Sequence, residues 1–214
     1  MDVLDLKKDL ARYYKPPAKQ VELVTIPELT FAAVNGVIEP GCAPSTSQTF
    51  KEAVQALYSV SYALKFALKK RPVDPVDYPV MSLEALWWVE TGEFDIRTPT
   101  NWHWTAMIVQ PDLVHEALFS ETVETLKKKK PNPALDKMNL KRFGEGLCIQ
   151  MMHIGPYSRE LETLAVMEAF LKKNGYHYRG KHHEIYLGDP NKTAPERLKT
   201  VLRHPVEKVH NPLL

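Results

Sequence analysis

Hydrophobic positions recur along the chain at two spacings, which together predict a mixed α and β fold. Apolar residues repeat every three or four positions from residue 50 to residue 68, and this spacing predicts a helix that Arg71 and Pro72 end. Residues 112–130 and 157–173 have the same helical spacing. A weaker stripe over residues 2–14 predicts a short N-terminal helix.

Short apolar or alternating runs that are bounded by Gly, Pro or Asn predict strands. The predicted strands are residues 21–25, 30–38, 81–90, 102–110, 147–154, 184–187 and 198–203. Residues 131–146 are rich in Pro, Asn, Lys and Gly, which is typical of a connector between elements.

The predicted elements follow the same order in both halves of the chain: strand, Gly, helix, strand, turn, strand, Pro. Gly36 corresponds to Gly155, and Pro111 corresponds to Pro205. We therefore expect an α+β fold of tandem duplicated β-α-β-β units, with pseudo-repeats at about residues 19–130 and 147–208 in a single domain. Two such units can pair their antiparallel sheets edge to edge and leave a central cleft for a ligand between them.

The strand around residue 184 carries the best candidate for chemistry. With a period of two, His182, Glu184 and Tyr186 share one face, and His183 lies on the other. A carboxylate beside a phenol on an apolar strand either faces solvent or forms the polar feature of a pocket. In a pocket, Glu184 could act as a general base or pair with a cationic ligand, and Tyr186 could donate a hydrogen bond.

All four tryptophans lie in two predicted strands, at Trp87, Trp88, Trp102 and Trp104. Alternation places Trp102 and Trp104 on one face, while Trp87 and Trp88 point in opposite directions, so at most one of that pair can join a given cleft. They are either core or exposed edge residues, or they form the aromatic wall of a pocket that stacks on a flat or cationic ligand.

Other polar residues give weaker signals. His153 and Tyr157 flank Gly155-Pro156 at a strand-to-helix junction, where they could line the cleft or simply pack. Glu84 and Glu90 share the strand face of Trp88, and we expect both to face solvent.

The sequence favours no metal and no organic cofactor. The run His182-His183-Glu184 superficially suggests a metal site, but adjacent histidines on a strand point to opposite faces and no third ligand has suitable spacing. No phosphate-binding glycine loop and no G-x-S-x-G motif occurs, so nucleotide binding and serine-hydrolase chemistry find no support.

The composition and net charge of the chain further limit the classes of binding partner that we expect. The chain has 214 residues, 44% of them hydrophobic, and a formal net charge of +2, so no whole-molecule field indicates nucleic acid. The basic run at residues 127–130 follows a predicted helix and is interpreted as its solvated end. The two cysteines fit neither a paired metal motif nor a disulfide framework. Without a signal peptide or a membrane-length apolar run, we expect a soluble cytoplasmic protein with no membrane partner.

Several runs of the chain together resemble the GyrI-like small-molecule-binding proteins, most of all their stand-alone bacterial branch. These runs are LEALWW at 83–88, NWHWT at 101–105 with QPD at 110–112, HIGPY at 153–157, GKHHEIYLGDP at 180–190 and LKTVLR at 198–203. The resemblance extends from about residue 21 to residue 205 and implies the same tandem β-α-β-β fold with a central cleft.

The resemblance implies two functions of different classes. Some stand-alone relatives are cyclopropanoid cyclohydrolases, which hydrolyse the cyclopropane of DNA-alkylating spirocyclopropyl-dienones; Glu184 falls at the matching acidic position, with Tyr186 beside it. Other relatives are drug-binding domains of multidrug transcription regulators, in which an acidic residue in an aromatic pocket meets a cationic ligand. We expect the hydrolase, with a non-catalytic binding, sequestering or sensor protein as the alternative, because no helix-turn-helix domain precedes the resemblance. Contact with a topoisomerase rests on the family name alone.

Overall fold

A computed structural model describes residues 2–98 and 101–209. The chain divides into two compact units, which we describe separately. Unit 1 comprises Met1–Ala11 and Leu29–Phe143, and unit 2 comprises Arg12–Glu28 and Gly144–Leu214.

The described residues form strands and helices with the following bounds. The strands are β1 (Asp2–Val3), β2 (Glu22–Ile26), β3 (Leu29–Val37), β4 (Val76–Asp77), β5 (Leu83–Trp88), β6 (His103–Gln110), β7 (Asn139–Phe143), β8 (Gly146–Ile154), β9 (Tyr176–Tyr178), β10 (His182–Tyr186) and β11 (Lys199–Lys208). The α-helices are α1 (Leu6–Asp9), α2 (Ala11–Tyr14), α3 (Gln48–Lys69), α4 (Glu116–Lys129) and α5 (Glu160–Asn174). Single 3-10 turns occur at Pro133–Lys137, Tyr157–Arg159 and Pro195–Arg197.

Unit 1 contains an antiparallel sheet in the order β5-β6-β3-β7, and β1 pairs with β4 in parallel. Helix α3 packs on one face of this sheet through buried residues that include Leu57 and Leu64. The side chain of Ser47 begins α3 by accepting a hydrogen bond from the backbone N–H of Phe50 at 3.1 Å. Gln110 on β6 donates a buried hydrogen bond to the hydroxyl of Ser61 on α3 at 2.9 Å, which fixes the helix on the sheet.

Unit 2 contains an antiparallel sheet in the order β2-β8-β11-β10, and β9 extends it by pairing with the end of β11. Helix α5 covers one face of this sheet. The buried residues between helix and sheet are Ile149, Met151, Met167, Leu171, Leu202 and Val206. Gly175 ends α5 in the left-handed conformation, at φ 67°, which a side chain would disfavour.

The predicted β-α-β-β order is confirmed in both units, as β3-α3-β5-β6 and as β8-α5-β10-β11. Four strands are absent from the sequence prediction: β1 and β4 have two residues each, β7 lies in the expected connector, and β9 follows α5 directly. β7 and β9 lie at an edge or beside the end of a longer strand, and neither has a clear apolar alternation.

Two boundaries also differ from those expected from the sequence. Strand β2 pairs with β8 and so belongs to unit 2, although the predicted first repeat includes it. The N-terminal stripe forms β1 and two single-turn helices, α1 and α2, instead of one continuous helix. Among the described residues, no helix is both long enough and apolar enough to cross a membrane.

Candidate functional site

Glu184 lies on β10 of unit 2, on the sheet face that carries helix α5. It pairs with Leu202, whose side chain belongs to the core under α5. Only 7% of Glu184 is exposed, so the solvent-facing alternative that the sequence left open is wrong. A carboxylate at such a depth needs hydrogen-bond donors.

Two neighbours on the same face of β10 contact the carboxyl group of Glu184. The hydroxyl of Tyr186 donates a hydrogen bond to Oε2 at 2.6 Å. Nε2 of His182 lies 3.0 Å from Oε1, where a protonated Nε2 donates a second hydrogen bond. The predicted alternation of His182, Glu184 and Tyr186 is therefore confirmed, and it gives each carboxyl oxygen its own partner.

His182 is the buried neighbour of Oε1 of Glu184. Its side chain is almost completely buried, and its ring centroid lies 5.1 Å from that of His204 on β11. Burial lowers the pKa of His204 well below the ordinary value, and repulsion from His182 and His183 adds to this effect. His204 is therefore neutral and provides an uncharged support behind His182.

Tyr157 brings a second aromatic ring to the site from the turn before α5. Its ring meets that of Tyr186 edge-on, with centroids 5.9 Å apart. Burial raises the pKa of Tyr157 to about 12, and the charges of Glu184, Glu160 and Asp189 add to the rise. Tyr157 still reaches the surface, so its ring is accessible to a ligand.

The ring of His153 is fully engaged by the protein. Nε2 lies 3.1 Å from the carbonyl oxygen of Pro156, which can only accept, so Nε2 carries the proton. Nδ1 then accepts a hydrogen bond from the hydroxyl of Thr163 at 2.9 Å. These bonds tie β8 to α5 across Gly155, and they support the packing alternative for His153.

Glu160 is a buried carboxyl group that sequence analysis missed. It is the first residue of α5 and only 2% exposed. Burial raises its pKa from 4.5 to about 10; the charge of Glu184 adds to the rise, and the neighbouring hydroxyl of Thr200 opposes it. Acidic residues are common in the first turn of a helix, where they interact favourably with the helix dipole. The sequence therefore gives no signal that distinguishes Glu160 from an ordinary exposed acidic residue.

The opposite face of the same sheet carries a buried charged network that the sequence also did not reveal. Nδ1 of His183 lies 2.8 Å from Oε2 of Glu145, and Nη1 of Arg203 lies 3.4 Å from the same oxygen. Nε of Arg203 donates to Oε1 of Gln150 at 3.2 Å. Adjacent histidines thus do point to opposite faces, as predicted, and each binds a different glutamate.

Three of the four tryptophans pack together in unit 1. The ring centroid of Phe50 on α3 lies 5.1 Å from that of Trp87 and 5.2 Å from that of Trp104. Trp87 also contacts Trp102, at 5.5 Å. All three are buried, in agreement with the core interpretation that the sequence left open.

Trp88 lies on the other side of the strand, as alternation requires. It is half-buried, and its ring lies 5.7 Å from that of His103. Glu84 is on the same strand face but is buried, so the expectation that it faces solvent is wrong. Glu90 lies beyond the end of β5, and its side chain is exposed as expected.

Within residues 2–98 and 101–209, no group of three or more His, Cys, Asp or Glu side chains is arranged to hold a metal ion.

Several proteins of known structure are similar to this chain. An uncharacterized conserved protein from Listeria innocua is 38% identical, with a TM-score of 0.84, over 95% of this chain and 100% of its own length. Two hydrolases from Listeria innocua are 35% and 36% identical, with TM-scores of 0.79 and 0.82. They match 95% and 97% of this chain, respectively, and each is covered over 100% of its length. No curated protein matches the chain.

The family model described as the GyrI-like small molecule binding domain matches residues 19–207. This match includes every residue of the site around Glu184, and it agrees with the resemblance in the sequence motifs. The chain therefore belongs to the family of GyrI-like small molecule binding domains.

Proposed function

We propose that this protein is a cofactor-free hydrolase that detoxifies spirocyclopropyl-dienones, DNA-alkylating cyclopropanoid compounds, by adding water to the cyclopropane ring. The observation that carries the proposal is the 2.6 Å hydrogen bond from the Tyr186 hydroxyl to the buried carboxyl group of Glu184. This hydrogen bond places a proton acceptor and a proton donor in direct contact. The names of two relatives at 35% and 36% identity support hydrolysis as the class of reaction.

In the proposed reaction, the oxygen of a water molecule attacks the methylene carbon of the cyclopropane. A carbon–oxygen bond forms, and the bond from the methylene to the spiro carbon breaks. The released electron pair flows into the dienone, which becomes aromatic and leaves a negative charge on the former carbonyl oxygen. Ring strain and aromatisation both favour this opening, so the protein has only to move protons and hold the substrate.

Glu184 takes the proton that the attacking water loses. Tyr186 gives its hydroxyl proton to the phenolate of the product and recovers one from Glu184 through their hydrogen bond. The net change is the addition of one water molecule, and both side chains return to their starting states. His182 holds Oε1 of Glu184, which leaves Oε2 to exchange the proton with Tyr186.

The aromatic rings of Tyr157 and Tyr186 provide apolar contact for a flat substrate beside the carboxylate. Contact with Trp87, Trp88, Trp102 and Trp104 remains a prediction from the sequence. Of these four, Trp88 keeps a partly exposed ring, whereas the other three are buried.

The alternative is a binding or sequestering protein that does no chemistry. The same observation favours a binding protein in part, because a buried carboxylate beside the ring of Tyr186 can also pair with a cationic aromatic ligand. The two functions predict different fates for the same small molecule.

Analysis of the reaction product distinguishes the hydrolase from the binding protein. The protein is incubated with a spirocyclopropyl-dienone in ¹⁸O-labelled water, and the product is identified by mass spectrometry. A labelled water adduct that forms faster than in buffer supports the hydrolase. Recovery of the unchanged dienone, bound at a stoichiometric ratio to the protein, supports the binding protein and overturns the proposed hydrolysis.

A further inference from the structure

Glu160 and Glu184 approach the same region of unit 2 from two different elements. Glu184 is on β10, next to the β11 residue Leu202, while Glu160 begins α5. Thr200, whose hydroxyl interacts with the carboxyl group of Glu160, pairs with Tyr186 on β10 and with His153 on β8. Glu160 thus lies over the row of residues that flanks Glu184.

The residues on both sides of Glu160 fix its position. Three positions earlier, Tyr157 meets the ring of Tyr186. Three positions later, Thr163 binds His153. The backbone of Glu160 is therefore held between two anchored side chains.

The two carboxyl groups differ in their hydrogen-bond partners. Glu184 has Tyr186 at one oxygen and His182 at the other. Oε1 of Glu160 is buried and makes no hydrogen bond to any residue within the described part of the chain. A carboxylate is stabilised by donors and destabilised by burial, so the surroundings of Glu184 support a negative charge better than those of Glu160 do.

We propose that Glu160 and Glu184 form a carboxyl pair that holds one proton, in which Glu160 is a positioning residue that keeps a second negative charge away from the reaction. This inference rests on the proposed function, because its consequence concerns the phenolate that forms there. A neutral Glu160 leaves Glu184 as the one charged carboxylate of the pair. An ionised Glu160 would repel both Glu184 and the phenolate.

The pH dependence follows from the groups around Glu160. These are Glu184 and Tyr186 on β10, His153 on β8, Tyr157 in the preceding turn, and the exposed pair of Arg159 and Glu162 in the first turn of α5. Among these groups, the charge of Glu184 raises the pKa of Glu160 beyond the rise that burial produces. Loss of the Glu160 proton at alkaline pH should therefore slow the reaction.

The first test needs no substrate. Difference infrared spectroscopy at neutral pH should show the C=O stretch of a protonated carboxylic acid that shifts on deuteration. Glu160→Gln should abolish this band, whereas Glu168→Gln, an exposed position on the same helix, should retain it. Absence of the band from the wild-type protein, or its persistence in Glu160→Gln, would overturn the pair.

A second measurement avoids substitutions altogether. With ¹³C at the side-chain carboxyl groups of glutamate, NMR of the wild-type protein should show one resonance that still titrates far above the ordinary glutamate range. Titration of every glutamate in the ordinary range would overturn the pair even if Glu160→Gln fails to fold.

The kinetic test follows turnover of a spirocyclopropyl-dienone against pH. Glu160→Gln, which has no proton to lose, should not show the alkaline decline in rate that the wild-type protein shows. An unchanged alkaline decline in this variant would overturn the role of Glu160 in the reaction. If the wild-type protein shows no turnover at all, the proposed hydrolysis fails, and the two spectroscopic measurements still decide whether the pair exists.

Discussion

The hydroxyl of Tyr186 donates a 2.6 Å hydrogen bond to the carboxyl group of Glu184, two residues earlier on the same face of β10. Its length lies in the range of hydrogen bonds from a hydroxyl to a carboxylate, and its acceptor is buried. It joins the acid and the base of the proposed reaction in one segment of three residues.

Tyr186→Phe tests the donor half of this arrangement. The variant keeps the ring that packs against Tyr157 but removes the hydroxyl, so the phenolate loses its proton donor. We expect kcat to fall by about 10²–10³-fold with a smaller change in KM, measured by steady-state kinetics on a spirocyclopropyl-dienone. Tyr62→Phe, at an exposed position of α3, is the control and should leave both constants unchanged. Wild-type kcat in Tyr186→Phe would remove Tyr186 from the mechanism.

Glu145→Gln tests the charged network on the other face of the sheet. Burial alone would raise the pKa of Glu145, but His183 and Arg203 outweigh it and lower the pKa below its ordinary value. Removing the charge leaves the buried guanidinium of Arg203 without the counter-charge of Glu145, so we expect the free energy of unfolding to fall by about 3–5 kcal/mol in urea titrations at neutral pH.

The pH dependence of this effect has a definite sign. Because the pKa of Glu145 is lowered on folding, its contribution to stability is present above the ordinary pKa and disappears as the pH falls through the folded value. The difference between wild type and Glu145→Gln should therefore shrink in acid. Glu207→Gln, which removes an exposed pair with His177, should cost no more than about 0.5 kcal/mol. Equal effects at the two positions would contradict the account of the network.

The pH dependence of stability that we expect from Glu160 is opposite to that expected from Glu145. Its pKa is raised on folding from 4.5 to about 10, so its contribution to stability is complete below 4.5 and is lost as the pH rises towards 10. Glu160→Gln has no proton to lose. The stability of this variant relative to wild type should therefore increase with pH through this window, by at most about 1.4 kcal/mol per pH unit. Parallel stability curves for the two proteins would contradict the prediction.

Gly36→Ala tests the tryptophan packing of unit 1. A Cβ atom at residue 36 would lie 2.2 Å from Cζ2 of Trp104, which is buried against Phe50 and cannot move aside freely. We expect a loss of about 1–3 kcal/mol in the free energy of unfolding and a shift of tryptophan fluorescence. Gly188→Ala is the control, since its nearest atom would lie 3.5 Å away. A fluorescence spectrum and stability equal to those of wild type in Gly36→Ala would contradict this packing.

Local patterns predicted most of the fold, and the assignment of β2 shows where they fail. The spacing of apolar residues predicted α3, α4 and α5, and the alternation around residue 184 predicted which side chains share a face. Strand β2 was assigned to the wrong unit because strand pairing joins residues far apart in the chain: Val24 faces Cys148. Periodicity carries no information about such partners.

The candidate site was predicted in part for the same reason. Glu184, Tyr186 and His182 come together through a period of two along one strand, which the sequence displays. Glu160 joins them only because α5 packs on the sheet, and burial of a helix-initiating acid leaves no mark in sequence. Burial also decided between the two interpretations of Trp87 and Trp104, which alternation alone could not do.

The central claim is that Glu184 removes the proton from the attacking water. The most direct test compares wild type with Glu184→Gln, which keeps the shape of the side chain, by mass spectrometry of the water adduct and by calorimetric binding of a stable aromatic analogue. We predict a loss of turnover of about 10²–10⁴-fold, with a Kd that changes by less than about threefold. Full turnover in Glu184→Gln, with Glu168→Gln equally active as the control, would contradict the account.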